Sequence, residues 1–157
     1  MLKEGDQAPD FTVHTDTGEE FRLSALKGKR VVLYFYPKAD TPGCTTEACE
    51  FRDDTAAFKK KKVEIVGVSP DKSAAQAKFK GKYDLPFTLL ADQDKAVAQA
   101  YGVWQEKNMY GRKVMGIVRS TFLIGADGLL KEEWRGLKVP GHVDDVLKAV
   151  KALKKAV

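Results

Sequence analysis

Cysteine is nearly absent from this chain: 157 residues hold two, Cys44 and Cys49. Two thiols are too few to staple a protein of this length, which argues against a disulfide-built secreted scaffold. Histidine is as scarce, with only His14 and His142, widely separated. Zinc sites ask for about four ligands, typically in close pairs, so this inventory argues against a metal centre. Both histidines are expected to be surface or capping residues. The C-x-x-C spacing of thioredoxin-type disulfide reductases is missing. Long apolar runs are missing too; none approaches the roughly 20 residues of a membrane span. The opening MLKEGDQAPDF lacks the basic-then-apolar pattern of a secretory signal. The expectation is a cytoplasmic protein with no membrane association, in a compartment where stable structural disulfides are uncommon. Linkers, repeats and low-complexity tracts are also lacking. A single domain spanning residues 1–157 is expected.

What is present is a 43% apolar chain, enough to bury a core, with a net charge of +5. The most basic run, Lys59 to Lys62, closes an amphipathic segment, where cations complement a helix C-terminus. The other lysines are dispersed from Lys72 to Lys155 without interleaved aromatics, which argues against nucleic acid as a partner. Phe11–His14 and Phe21–Leu23 flank Asp16-Thr-Gly18 and predict a hairpin. Ser24 is expected to cap a short turn ending at Gly28. Arg30–Pro37, RVVLYFYP, reads as a strand buried on both faces. A helix follows from about Cys44 through Phe58, then the strand Val63–Val68 and the helix SAAQAKFKGKY. Strand, helix, strand, helix implies a parallel βαβ core. Beyond it the pattern predicts a short strand at Phe87–Leu90 and a helix at Asp94–Tyr101. Strands at Ser120–Ile124 and Leu129–Trp134 flank GADG, and a last helix runs from about Val143 to Lys154. Trp104 and Trp134 are expected to pack rather than react. The fold class is α/β: a thioredoxin-like sandwich, a central mixed β-sheet flanked by helices, with an N-terminal β-hairpin extension.

The two thiols fall in one short stretch, DTPGCTTEACEF. A buried strand ends near Pro37, a loop follows, and a helix begins near Cys44. That places Cys44 at a helix N-terminus beside the carboxyl end of a central strand, where open α/β sheets bind ligands. Free N–H groups and the positive end of the helix dipole stabilise a thiolate there. Thr41 can aim its hydroxyl at the same point, and Pro42-Gly43 set the turn without bulk over the sulfur. Cys49 lies five residues on, within the same helix. Ideal geometry separates the two Cα atoms by about 8.5 Å and turns them roughly 140° apart. A disulfide tolerates about 7 Å, so none forms while that helix is intact. A redox pair at this spacing therefore requires the helix to unwind after Cys44 is oxidised.

The run YFYPKADTPGCTTEACEFRD resembles the active-site segment of the peroxiredoxins, and its Cys44–Cys49 spacing that of the Q-type, or bacterioferritin comigratory protein, subfamily. GDQAPDF, VGVSPD, LPFTLLAD, AYGVW, GIVRSTFLI and the late PGH agree, so the resemblance covers nearly the whole chain. It implies a thioredoxin fold and thiol-dependent reduction of hydrogen peroxide and organic hydroperoxides, serving antioxidant defence. Cys44 would be the peroxidatic thiolate and Cys49 the resolving thiol. Pro37 and Thr41 complete the Pro-x-x-x-Thr-x-x-Cys motif, Arg119 in the GIVRSTF strand is the distant arginine, and Glu47 the acid that orients it. The implied cycle needs no metal, haem or nucleotide cofactor. Thioredoxin restores the thiols, and a resolving thiol in the same helix allows a monomer. Taken singly, each residue has a plainer reading: Thr41 as a turn or N-cap residue, Arg119 as a surface charge, Glu47 as a first-turn acid, Pro37 as a strand end. Two other functions stay open on the residues alone, a redox-switched binding or chaperone protein and an intracellular structural disulfide.

Overall fold

The computed structural model describes residues 2–153. The chain opens on a hairpin, β1 (Thr12–Thr15) and β2 (Glu20–Arg22), and a 3-10 turn at Leu23–Leu26. Ser24 does not cap that turn by its side chain; its own N–H is held by Asp10 Oδ1 at 2.8 Å. A βαβ unit follows: β3 (Arg30–Phe35), α1 (Pro42–Asp53), α2 (Thr55–Lys60) and β4 (Val63–Ser69). Next come α3 (Ser73–Tyr83), β5 (Thr88–Ala91), α4 (Ala96–Ala100), and a ribbon of β6 (Trp104–Met109) and β7 (Arg112–Ile117). The chain closes with β8 (Ser120–Ile124), β9 (Leu130–Arg135) and α5 (His142–Lys151). Lys154 and Lys155 lie outside the described residues.

Seven strands form one mixed sheet in the order β2-β1-β5-β4-β3-β8-β9. β3 pairs parallel with β4, and β4 with β5; β8 runs antiparallel to β3, and β9 to β8. The first hairpin extends the sheet, with β1 antiparallel to β5. This is the expected thioredoxin-like sandwich with its N-terminal hairpin. The β6–β7 ribbon stands apart as a two-stranded sheet of its own, and the pattern of apolar residues had not announced it.

The period-2 alternation of β3 sorts side chains to two cores. Val32, Tyr34 and Tyr36 meet α1, α2, α3 and α5 through Ala48, Phe51, Phe58, Phe79, Val143, Val146 and Val150. Val31, Leu33 and Phe35 face the other way, onto Val97, Ala98, Tyr101, Phe122 and Leu130. Tyr34 stacks on Phe51 with ring centroids 4.7 Å apart, pinning α1 to the centre of the sheet. Tyr34 also lies across Gly67, where an added Cβ would come within 2.9 Å of the ring. Any larger residue at 67 would push the ring off α1. The expected stripe on α5 holds for Val143, Val146 and Val150, which are buried, and Leu147 at the edge. The helix ends at Lys151, short of the expected extent, and Leu153 packs against the core just beyond it.

Two further expectations about the fold need correction. The helix after Cys44 is two helices, broken at Asp54, where Thr55 turns its hydroxyl back onto the Phe51 carbonyl at 2.9 Å. His142 is neither surface nor a side-chain cap: it is 4% exposed and wedged edge-on against Phe51 and Trp134. Its Nε2 shares a 2.7 Å hydrogen bond with Thr121 Oγ1, and burial pushes its pKa down to about 4. His14 is exposed, as expected.

Candidate active site

The carboxyl end of β3 runs out at Phe35, and Tyr36–Thr41 cross to the start of α1. Thr41 is the N-cap by backbone conformation, with extended φ and ψ, and Pro42 occupies the first helical position, where its missing N–H costs nothing. The N–H of Thr45 is the first to bond back into the helix, to Thr41 O at 2.8 Å. The N–H of Cys44 therefore precedes the intrahelical ladder and remains a donor at the helix tip. The Thr41 hydroxyl does not cap the helix; it donates to Lys38 O at 2.8 Å. Its proton is committed, so its oxygen is left as an acceptor.

Cys44 is third in α1 and 1% exposed. Glu47 sits one turn on, on the same face, and is fully buried. Arg119 approaches from the far side of the sequence. It lies in the two-residue link between β7 and β8, and not inside a strand as GIVRSTF suggested. Its guanidinium forks: Nη1 donates to Glu47 Oε1 at 2.8 Å, and Nη2 to Cys44 Sγ at 3.2 Å. Gly43 makes room for this, since a Cβ there would stand 3.2 Å from Nη2. The planar fork is what lysine cannot supply: one cation holds a carboxylate and a sulfur at fixed angles.

The electrostatics of the trio follow from burial. Desolvation pushes the Glu47 carboxyl up to about 7, against the pull of Arg119. Only one of its oxygens is satisfied; Oε2 has no hydrogen-bond partner among the described residues. Glu47 and the Cys44 sulfur in turn hold the Arg119 pKa above its ordinary value, against the desolvation that would lower it. A buried acid with half its acceptors idle costs stability, which marks a group kept for geometry.

Both cysteines are free thiols, Cys44 buried and Cys49 half-buried, and both lie within the unbroken α1. Helix α1 thus keeps Cys49 out of bonding range, as ideal geometry requires. Pro37 is half-buried at the mouth of the loop. The structure thus brings Cys44, Glu47 and Arg119 into direct contact, with Thr41 and Pro37 in the adjoining loop. Among the described residues no three His, Cys, Asp or Glu side chains assemble into a metal cage. Likewise, no described helix is long and apolar enough to cross a membrane.

Sequence reasoning passed over the residues that hold the loop. Asp40, at φ +61, accepts from Lys82 Nζ at 2.9 Å and Tyr83 Oη at 2.7 Å. Arg52 of α1 donates to Tyr83 O at 2.8 Å. Asp71 accepts the Ala39 N–H at 2.7 Å. The one signal available was Asp40 before Thr-Pro-Gly, since Asp tolerates the left-handed conformation better than most residues.

The chain is similar to several known proteins. The AhpC/TSA family profile matches residues 4–133. Peroxiredoxin Bcp of Bacillus subtilis is 50% identical over 147 residues, covering 94% of each chain. Peroxiredoxin Bcp of Escherichia coli K12 is 44% identical over 150 residues, or 96% of each. Peroxiredoxin Q of Xanthomonas campestris superposes with a TM-score of 0.89 at 41% identity, over 97% of this chain and 96% of that one. A second Xanthomonas campestris structure, of its bacterioferritin comigratory protein in trapped intermediate and ligand complexes, concerns alkyl peroxide reduction and gives the same TM-score and identity over 97% of each chain.

Proposed function

Since the chain belongs to the AhpC/TSA family and is a thiol-dependent peroxidase of the peroxiredoxin kind, we propose that Cys44 is the peroxidatic thiolate and Cys49 its intramolecular resolving thiol. One observation carries this reading: the Arg119 fork that ties the Cys44 sulfur to buried Glu47 at the tip of α1.

The steps follow from the groups in place. The Cys44 sulfur attacks the nearer oxygen of the O–O bond, forming S–O as O–O breaks. The departing oxygen leaves as alkoxide or hydroxide and takes a proton from solvent. Arg119 stabilises the thiolate before attack and the charge on the departing oxygen during it. The Cys44 N–H donates to the peroxide, while the Thr41 oxygen accepts its O–H, holding O–O in line with the sulfur. Pro37 shields the site from water. Glu47 acts through Arg119, as a positioning residue. The product, Cys44 sulfenic acid, meets the Cys49 sulfur once the first turns of α1 unwind; S–S forms and water leaves. A dithiol protein, thioredoxin, then reduces the disulfide by exchange.

Hydrogen peroxide and organic hydroperoxides are the substrates of this reading, and the alkyl peroxide reduction recorded for the Xanthomonas campestris relative supports the organic class. The whole chain works as one domain and as a monomer, because the resolving thiol is in the same helix. Its place is the cytoplasm, where reduced thioredoxin is maintained.

Cys44→Ser should abolish peroxide consumption coupled to thioredoxin, its reductase and NADPH. Cys49→Ser should consume one equivalent of peroxide per chain and then stop, unless a small thiol is added. Normal cycling of the Cys49 variant with thioredoxin would remove Cys49 from the resolving role. Turnover by the Cys44 variant would remove Cys44 from the chemistry.

A further inference from the structure

The segment VGVSPD ends β4, and none of the steps above uses it. Ser69 closes the strand, and Asp71 stands half-buried just past it. From Asp71 a line of side-chain hydrogen bonds runs into the core. Its Oδ2 accepts from Ser69 Oγ at 2.6 Å and from the Ala39 N–H at 2.7 Å. Ser69 Oγ accepts from Gln76 Nε2 at 2.8 Å, so its own proton goes to Asp71. Gln76 Nε2 also donates to Leu90 O at 2.9 Å, and Gln76 Oε1 accepts from the Tyr36 hydroxyl. Tyr36 and Ser69 are each 1% exposed and Gln76 is fully buried. The direction of every bond is fixed by its neighbour, and a satisfied buried network of this kind specifies one geometry.

The Ala39 N–H is the point where this network touches the loop between β3 and α1. Pro37 and Thr41 lie two residues to either side of it. The loop's other hold, Asp40 on Lys82 and Tyr83, is an exposed contact, and exposed ion pairs contribute little. The buried line through Asp71 is therefore the firmer anchor.

We propose that Asp71 is a positioning residue for the peroxide step, fixing the Pro37–Thr41 loop through the Ala39 N–H while Tyr36, Gln76 and Ser69 fix Asp71. It touches no substrate. The proposal rests on the reading of Pro37–Thr41 as the peroxide-binding loop, and displacement of a positioned group by about 1 Å is enough to cost up to roughly a hundredfold in rate.

Single-turnover measurements on the pre-reduced full chain test it without any recycling partner. Competition with horseradish peroxidase for hydrogen peroxide gives the rate of Cys44 oxidation; thiol loss afterwards gives the rate of Cys44–Cys49 bond formation. Asp71→Ala should slow Cys44 oxidation about tenfold and leave bond formation unslowed. Asp71→Asn keeps an acceptor oxygen at the same reach and should restore the oxidation rate to within about threefold of wild type. Ser69→Ala, which frees Asp71 without removing it, should fall between, and it decides the matter if Asp71→Ala does not fold. Wild-type oxidation in Asp71→Ala, or an equal fall in both rates with no recovery in Asp71→Asn, overturns the proposal. Thr41→Val is the control. If it too oxidises at the wild-type rate, the loop has been misread as the substrate site; if it alone is slowed, only the role of Asp71 fails.

Discussion

On one face of the central sheet Leu33, Phe35, Tyr101, Phe122 and Leu130 pack with α4; two polar groups among them are hydrogen-bonded, while Arg135, over the Phe122 ring, and Glu133 beside it keep buried atoms without hydrogen-bond partners among the described residues. Asp92 takes the N–H groups of Val97 and Ala98 at 3.1 and 2.9 Å, and the Tyr101 hydroxyl donates to Pro9 O at 2.8 Å. The opposite face, under α1, α3 and α5, buries Glu47, Gln76 and His142 among its apolar residues. There Glu47 Oε2 and Tyr34 Oη, both on fully buried residues, have no hydrogen-bond partner among the described residues. The first face is an anchor. The second trades stability for a site that must hold a sulfur, a cation and a buried acid, and then let α1 come apart. Both faces carry idle polar atoms; what sets the second apart is that the idle carboxyl oxygen of Glu47 belongs to α1 itself, the helix that must open.

The largest effect should come from the anchor. Phe122→Ala removes a buried ring that touches Phe35 and Tyr101, and should cost about 3–5 kcal/mol of unfolding free energy in urea titrations. Peroxide kinetics of the remaining folded protein should be little changed. If Cys44 oxidation slows in step with the stability loss, the two faces are not independent.

Glu47→Gln should separate stability from activity. Burial lifts the Glu47 carboxyl to about 7, so the folded protein binds that proton more tightly than the unfolded chain. Its favourable contribution is complete below the ordinary carboxyl range, about pH 4.5, and is lost as pH rises through about 7. At pH 8 the variant should thus be more stable than wild type, on the order of 1–3 kcal/mol, and at pH 4.5 the gain should vanish. Cys44 oxidation should slow roughly tenfold, because Arg119 loses its charged partner. A variant both faster and more stable would show that Glu47 does not position Arg119.

His142 gives the smallest effect, with the opposite slope. Its lowered pKa means that the unfolded chain takes the proton first. The stability it lends is present above about pH 6.5 and is lost as pH falls toward about 4. His142→Asn should flatten that stretch of the stability curve by on the order of 1–2 kcal/mol, measured by urea unfolding at pH 7 and 4.5.

Much of this was readable in the chain. VVLYF and IVGV are continuous apolar runs, which a strand buried on both faces demands. The β6–β7 ribbon was not readable, because WQEKNM and RKVMGI form a ribbon outside the main sheet, with Arg112–Met115 exposed and no clean apolar alternation to betray it. Gln76 looks like a surface residue in SAAQAKFKGKY, yet it is fully buried; its partners Tyr36 and Leu90 come together only in the tertiary fold. The Cys44 motif was legible through spacing and resemblance, whereas Asp40, Asp71 and His142 were not. Their partners come from distant segments, and no local pattern records them.

Hydrogen exchange of the reduced and peroxide-oxidised protein, followed by mass spectrometry over residues 42–52, tests most directly whether α1 must open for the Cys44–Cys49 bond to form. The reduced form should protect this segment, and oxidation should release it, while β3, β8 and α4 keep their protection. Equal or greater protection of 42–52 after the disulfide has formed would contradict the account.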